Sequence, residues 1–137
     1  MPELPLVFSG VVQTGQQRGR QLGFPTANIG VAGPAAASLP RGVFAARVRG
    51  AGTEDRWAVV NIGHRPTFDA GALSAEVHLL DFTGNLYGQV LEVELLVFLR
   101  GEKRFAEVGG LIAQVALDVE MTRNYIHNKV VNNAMEV

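Results

Sequence analysis

From Gln89 to Leu99 the chain alternates. Leu91, Val93, Leu95, Val97 and Leu99 recur at every second position, with Glu92 and Glu94 between them. A period of two belongs to a β-strand with one dry face and one wet face. The same spacing recurs upstream. GVFAARVR (42–49) sets Phe44, Ala46 and Val48 against Arg47 and Arg49, and SAEVHLLDF (74–82) sets Val77 and Leu79 against Glu76 and His78. LVFSGVVQ (6–13) and RWAVVNIG (56–63) are β-branched runs bounded by turn residues, and GAGTED, RPTFDAG and DFTGNLYG separate the runs. Only the end departs from this pattern. Phe105, Val108, Ile112, Val115 and Val119 recur at spacings of three and four, which predicts a helix from about 106 to 125. Gly109 and Gly110 weaken its first turns by about 1 kcal/mol each relative to Ala. Five or six strands followed by one helix predict a mainly β fold: a small antiparallel barrel with a C-terminal helix packed on it.

The bulk numbers narrow the function classes. A chain of 137 residues is expected to form one domain, 1–137. Hydrophobic residues make up 47% and charged residues 18%, the balance of a globular protein rather than a disordered one. A net charge of -1 argues against a partner made of nucleic-acid phosphates. The chain has no cysteine, so thiol catalysis, disulfides and thiolate metal sites are excluded. Its start, MPELPLVFSG, has neither the basic residues nor the apolar run of a signal peptide. No apolar stretch approaches the ~20 residues that span a bilayer. A cytoplasmic monomer acting on small molecules, with no nucleic-acid or membrane partner, is the expectation.

GRQLGFPTAN (19–28) fits neither a strand nor a plain turn. Gly15, Gly19 and Gly23 let the backbone approach a ligand and turn its N–H groups toward an anion. Arg18 and Arg20 add charge suited to bidentate phosphate contacts. Thr26 and Asn28 are two apart, so an extended segment points both to one face, and both carry the hard neutral oxygens that Mg²⁺ accepts. By residue type alone, the stretch is equally a Gly/Pro loop with two solvated arginines. No G-x-x-x-x-G-K-[ST] and no G-x-G-x-x-G after a strand is present.

Further blocks stand in order along the chain: RGRQLGFPTAN, GVFAARV, NIGHRPTF, AEVHLLDF, NLYGQVLEV, LRGEKRF and DVEMTR. With them the chain resembles the riboflavin kinase, or flavokinase, family from about Gly10 to Arg123. The resemblance implies a six-stranded Greek-key barrel with a C-terminal helix. It also implies transfer of the ATP γ-phosphoryl group to the 5′-hydroxyl of riboflavin, giving FMN and ADP, with Mg²⁺ or another divalent metal. It assigns ATP to Gly15, Arg18, Gly19, Arg20, Gly23, Pro25, Thr26 and Asn28, the metal to Thr26 and Asn28, and the general base to Glu76. Arg100, Glu102, Phe105, Val108 and Arg123 fall on the flavin side, where Phe105 and Val108 serve equally as helix-to-barrel packing. His78, on the face of Glu76, is placed to orient Glu76 or contact substrate but is expected to be structural, and Asp81 is expected to support the turn after its strand. Asn61 and Arg65 border a loop within reach of ligand, and the loops at 30–41 and 64–73 have the length of lids.

The chain departs from the family at Gln16, Gln17, Phe44 (usually Tyr), Arg104 (usually Lys) and Thr122, none of which touches the metal or base positions. Many members also carry an N-terminal adenylyltransferase that makes FAD, and no such module stands in this sequence. The expectation is a stand-alone kinase, its start resembling single-domain members, or else an excised module. The competing class is a flavin- or nucleotide-sensing barrel without catalysis, which loss of Glu76 or an added basic segment would favour. The sequence has neither.

Overall fold

The computed structural model describes residues 4–13, 26–31, 38–50, 53–64, 73–81, 86–103 and 105–135. The chain divides into two compact units, Met1–Glu102 and Lys103–Val137. The first holds the strands β1 (Leu6–Gln13), β2 (Thr26–Val31), β3 (Gly42–Gly50), β4 (Thr53–His64), β5 (Leu73–Leu79) and β6 (Val90–Arg100). They close into a barrel in the order β1-β2-β5-β4-β3-β6, every neighbouring pair antiparallel. β3, β4 and β5 come one after another, and β6 returns to lie beside β3, which is the Greek-key connection. The pairings are unequal. β2 runs in register with β5 along its whole length, and among the described residues it meets β1 at Val12–Ile29 and Gln13–Asn28.

The barrel interior is filled by the predicted apolar phase. Phe44, Ala46 and Val48 of β3, Ala58, Val60 and Ile62 of β4, and Ala75, Val77 and Leu79 of β5 are all buried in one cluster. Phe44 is fully buried. A tyrosine there would have to find a partner for its hydroxyl inside an apolar barrel, so the missing hydroxyl suits its place. The segment 26–31, expected only to be extended, is the sixth strand. β4 begins at Thr53, three residues before the predicted start, and β5 ends at Leu79 rather than residue 82. Asp81 stands in the next turn at φ 56°, and its carbonyl accepts a hydrogen bond from Arg56 Nη1 at 3.2 Å, in line with the expected turn role.

The predicted alternation of β6 holds only as far as Leu95. Leu91, Val93 and Leu95 are buried, whereas Val97 and Leu99 are only part-buried. The cause is a pair of register shifts against β3. Ala46 faces Leu95 but Ala45 faces Val97, so Leu96 is an extra residue. Phe44 faces Phe98 but Val43 faces Arg100, so Leu99 is another. Each bulge reverses the side-chain phase of the residues beyond it. Phe98 thereby reaches the Phe44 ring edge-on, with centroids 5.5 Å apart. The backbone makes room at Gly42, whose φ of 134° suits glycine, and a Cβ there would lie 2.7 Å from the Phe98 ring.

The second unit holds α1 (Val108–Met135), which runs ten residues past the expected end at 125. No Gly or Pro comes after Gly110 to stop it. Its buried face is Val115, Asp118, Val119 and Thr122, with Tyr125 and Ile126 part-buried further on. Ile112, predicted on that face, is 43% exposed. Val115 and Val119 of the same predicted period are buried, so the phase holds and Ile112, near the start of the helix, is the member that falls off the face. A count of apolar residues also passes over the two polar members of the face. Those two are satisfied locally: Thr122 Oγ1 donates to the Asp118 carbonyl at 2.9 Å, and Gln114 Nε2 donates to Asp118 Oδ1 at 3.1 Å.

Candidate active site

Residues directly opposite one another on paired strands share a face. Ala27, Val77, Val60 and Phe44 form one such row inside the barrel. One residue along, the row therefore lies on the outside of the wall: Asn28 on β2, Glu76 on β5, Asn61 on β4, Val43 on β3 and Arg100 on β6. The second bulge brings Arg100 into this row. In the adjacent outer row His78 stands opposite the backbone of Thr26 on one side and Val59 on the other.

This wall is not open surface. Asn28 is 9% and His78 7% exposed, Val43, Ala45 and Val59 are buried, and Glu76 and Asn61 are part-buried. Glu76 and His78 both have partners within the structure. A carboxylate flanked by two carboxamides on rigid strands can accept a proton from a hydroxyl brought against it. An Asn oxygen beside it can serve a hard cation.

Arg100 and Glu102, expected on the flavin side, reach the same wall. Gly63 lies on β4 two residues beyond Asn61 and opposite Ser74. It is buried, and a Cβ built on it would collide with Glu102 Oε1. The Glu102 carboxylate therefore occupies the space that glycine leaves open, close to the Asn61–Glu76 row. Arg100 Nη1 donates to the Gly101 carbonyl at 3.0 Å, which shapes the turn that carries Glu102.

The remaining predicted residues fall elsewhere. Gly15, Arg18, Gly19, Arg20, Gly23, Pro25 and Arg65 lie outside the described residues, as does most of the two lid-length loops. Phe105, Val108 and Arg123 belong to the second unit. There Phe105 is part-buried, with the Lys103 ammonium 5.8 Å from its ring centroid. Val108 opens α1, and Arg123 is exposed. By sequence Asn61 only borders a loop, and its place opposite Glu76 depends on a register that no local pattern encodes.

The donor set suits Mg²⁺ held mainly through a substrate's phosphates. Among the described residues no cluster of three or more His, Asp or Glu could cage a metal. The buried Asn28 carboxamide offers the sparse, hard oxygen that Mg²⁺ takes from protein when phosphates and water supply the rest.

The sequence model of the flavokinase family, described as riboflavin kinase, matches residues 2–126. This chain belongs to the riboflavin kinase family. Among its relatives, the bifunctional riboflavin kinase/FMN adenylyltransferase of Escherichia coli K12 is 40% identical over 121 residues, covering 88% of this chain and 38% of that protein. The family member thus spans less than two-fifths of the length of that relative. A solved structure of a Streptococcus pneumoniae protein named as a macrolide-efflux protein is 33% identical, with a TM-score of 0.73 over 88% of this chain and 39% of that one. The riboflavin kinase of Trypanosoma brucei, 24% identical, superposes with a TM-score of 0.68 over 88% of this chain and 76% of its own, a likeness of fold.

Proposed function

We propose that this riboflavin kinase family member transfers the γ-phosphoryl group of ATP to the 5′-hydroxyl of riboflavin. The observation that carries this is the opposition of Asn28 and Glu76 across β2 and β5 on the outer wall. It sets an oxygen for the metal beside a base for the hydroxyl, both on strands rather than loops. Glu76 takes the proton of the ribityl 5′-hydroxyl as that oxygen bonds to the γ-phosphorus. The bond from the γ-phosphorus to the β–γ bridging oxygen breaks, and ADP leaves with that oxygen. Phosphoryl transfer is chiefly positioning and charge stabilisation, so little more is asked of the protein. Asn28 with Thr26 holds Mg²⁺, which neutralises phosphate charge when bound. The family resemblance assigns Gly15, Gly19, Gly23 and Pro25, together with the charges of Arg18 and Arg20, to the ATP phosphates. Arg100 and Glu102 are assigned to the flavin, and the family resemblance extends that assignment to Phe105, Val108 and Arg123.

Residues 1–137 act in this scheme as one kinase domain. Among the described residues no helix is long and apolar enough to cross a membrane. We assign the protein to the cytoplasm, as a monomer working on riboflavin and ATP without nucleic acid or membrane.

The test is FMN formation. Purified protein with riboflavin, ATP and Mg²⁺ is followed by chromatography, with an EDTA control. FMN that appears only with metal is expected, and no FMN would end the kinase proposal. Glu76→Gln should bind Mg·ATP normally and turn over about 10²–10⁴ more slowly. Undiminished turnover would remove Glu76 as the base.

A further inference from the structure

The geometry points to Ser74 as a specificity residue that takes an inner hydroxyl of the ribityl chain, an inference that rests on the kinase proposal and on Glu76 as its base. Ser74 lies on β5 two residues from Glu76, so both side chains leave the same outer face, about 6.6–6.8 Å apart along the strand. It is part-buried. Its neighbours across the sheet are Gly30 on β2 and Gly63 on β4. A polar side chain lies against each glycine. A Cβ on Gly30 would stand 2.9 Å from Gln13 Oε1 and 3.1 Å from Gln13 Nε2, and one on Gly63 would meet Glu102 Oε1. The ends of Gln13 and Glu102 therefore lie over the two strands that flank Ser74. Gln13 leans there from the row of Asn28, which it faces across the β1–β2 pairing. A hydroxyl, a carboxamide and a carboxylate thus share the row next to the base.

A substrate chain can leave Glu76 along the wall in two directions, and they differ. Toward His78 the row is Thr26, His78, Val59 and Ala45, of which His78, Val59 and Ala45 are buried. Val59 and Ala45 offer nothing to a hydroxyl. Toward Ser74 the row is polar, and Gln13 and Glu102 on its flanks are exposed. A chain of hydroxyls belongs where each can exchange water for a partner, since burying one without a partner is costly. A ribityl chain that keeps its 5′-hydroxyl on Glu76 and runs along β5 brings a hydroxyl about two or three carbons further in against Ser74. Serine both donates and accepts, so it serves a hydroxyl in either sense. Strands about 4.7–4.9 Å apart set the Gln13 and Glu102 ends to either side of that chain. A flavin without inner hydroxyls would leave these groups unmatched.

The test pairs a variant with a substrate analogue, on the intact chain. Ser74→Ala should raise the KM for riboflavin about 2- to 10-fold, the range of one neutral hydrogen bond, and leave the KM for Mg·ATP unchanged. The analogue is a flavin with a plain hydroxypentyl chain at N10, which keeps the terminal hydroxyl and lacks the inner ones. Read as a competitor of riboflavin, it should bind the parent and Ser74→Ala within about twofold of each other, because the group removed from the protein has no counterpart in it. Ser74→Thr, which keeps the hydroxyl on a side chain suited to a strand, should recover riboflavin affinity. If Ser74→Ala unfolds on heating well below the parent, the same comparison is made between Ser74→Thr and Ser74→Val, which share a shape and differ in the hydroxyl. An unchanged riboflavin KM, an equal loss for riboflavin and the analogue, or a rise confined to Mg·ATP would overturn the ribityl role. Absence of FMN from the parent protein would end the kinase proposal, and this inference with it.

Discussion

At the scale of single residues, Gly63 offers a probe that leaves the core alone. A methyl group there meets the far end of the Glu102 side chain rather than backbone. Glu102 is exposed and can swing away, so Gly63→Ala, although the glycine itself is buried, should cost no more than about 1 kcal/mol. The carboxylate would still be driven from its place. If Glu102 serves the flavin, the KM for riboflavin rises and the KM for Mg·ATP does not. A variant with both constants unchanged would take Glu102 out of the flavin site. Thr26, Asn28 and Glu76 stand out in the sequence because each sits in a short block with a fixed pattern, whereas the sequence names Asn61 only as bordering a loop and does not show that it stands opposite Glu76. Asn61 lies fifteen positions before Glu76, and only the β4–β5 register joins the two.

Among the elements, the strands were legible wherever a single period ran unbroken. β1 and the outset of β3 matched their expected bounds because β-branched runs end at turn residues. β6 misled because its sequence alternates beyond the point where its backbone does. The bulges at Leu96 and Leu99 are set by pairing with β3, and VLEVELLVFL has no Gly or Pro to announce them. Their phase reversal has an energetic signature. A double-mutant cycle of Phe44→Leu and Phe98→Leu, read by urea unfolding, should show a coupling of about 0.5–1.5 kcal/mol, the value of an edge-to-face pair. Zero coupling would mean that Phe98 does not face Phe44 and that the strand keeps its simple alternation. The helix misled for a different reason. Asp118 and Thr122 occupy its buried face, and they bond to their own helix and its Gln114, so polarity disguised the stripe.

For the molecule as a whole, the Greek-key order decides what is near what. It brings β2 to β5 across intervening sequence and so creates the wall on which Asn28 and Glu76 meet. The barrel has no free edge, yet its joints differ. Hydrogen exchange should find the amides around the β6 bulges, at Leu96 and Leu99, less protected than those along the regular β2–β5 ladder, because local openings start where the backbone pairing is interrupted. Equal protection at the two joints would mean that the bulges do not weaken the β3–β6 ladder. The regular joint also sets how the fold breathes. Because β2 and β5 are paired along the whole of β2, they form one leaf, and a local opening elsewhere in the barrel moves Asn28 and Glu76 together, with the spacing between the two side chains carried along unchanged.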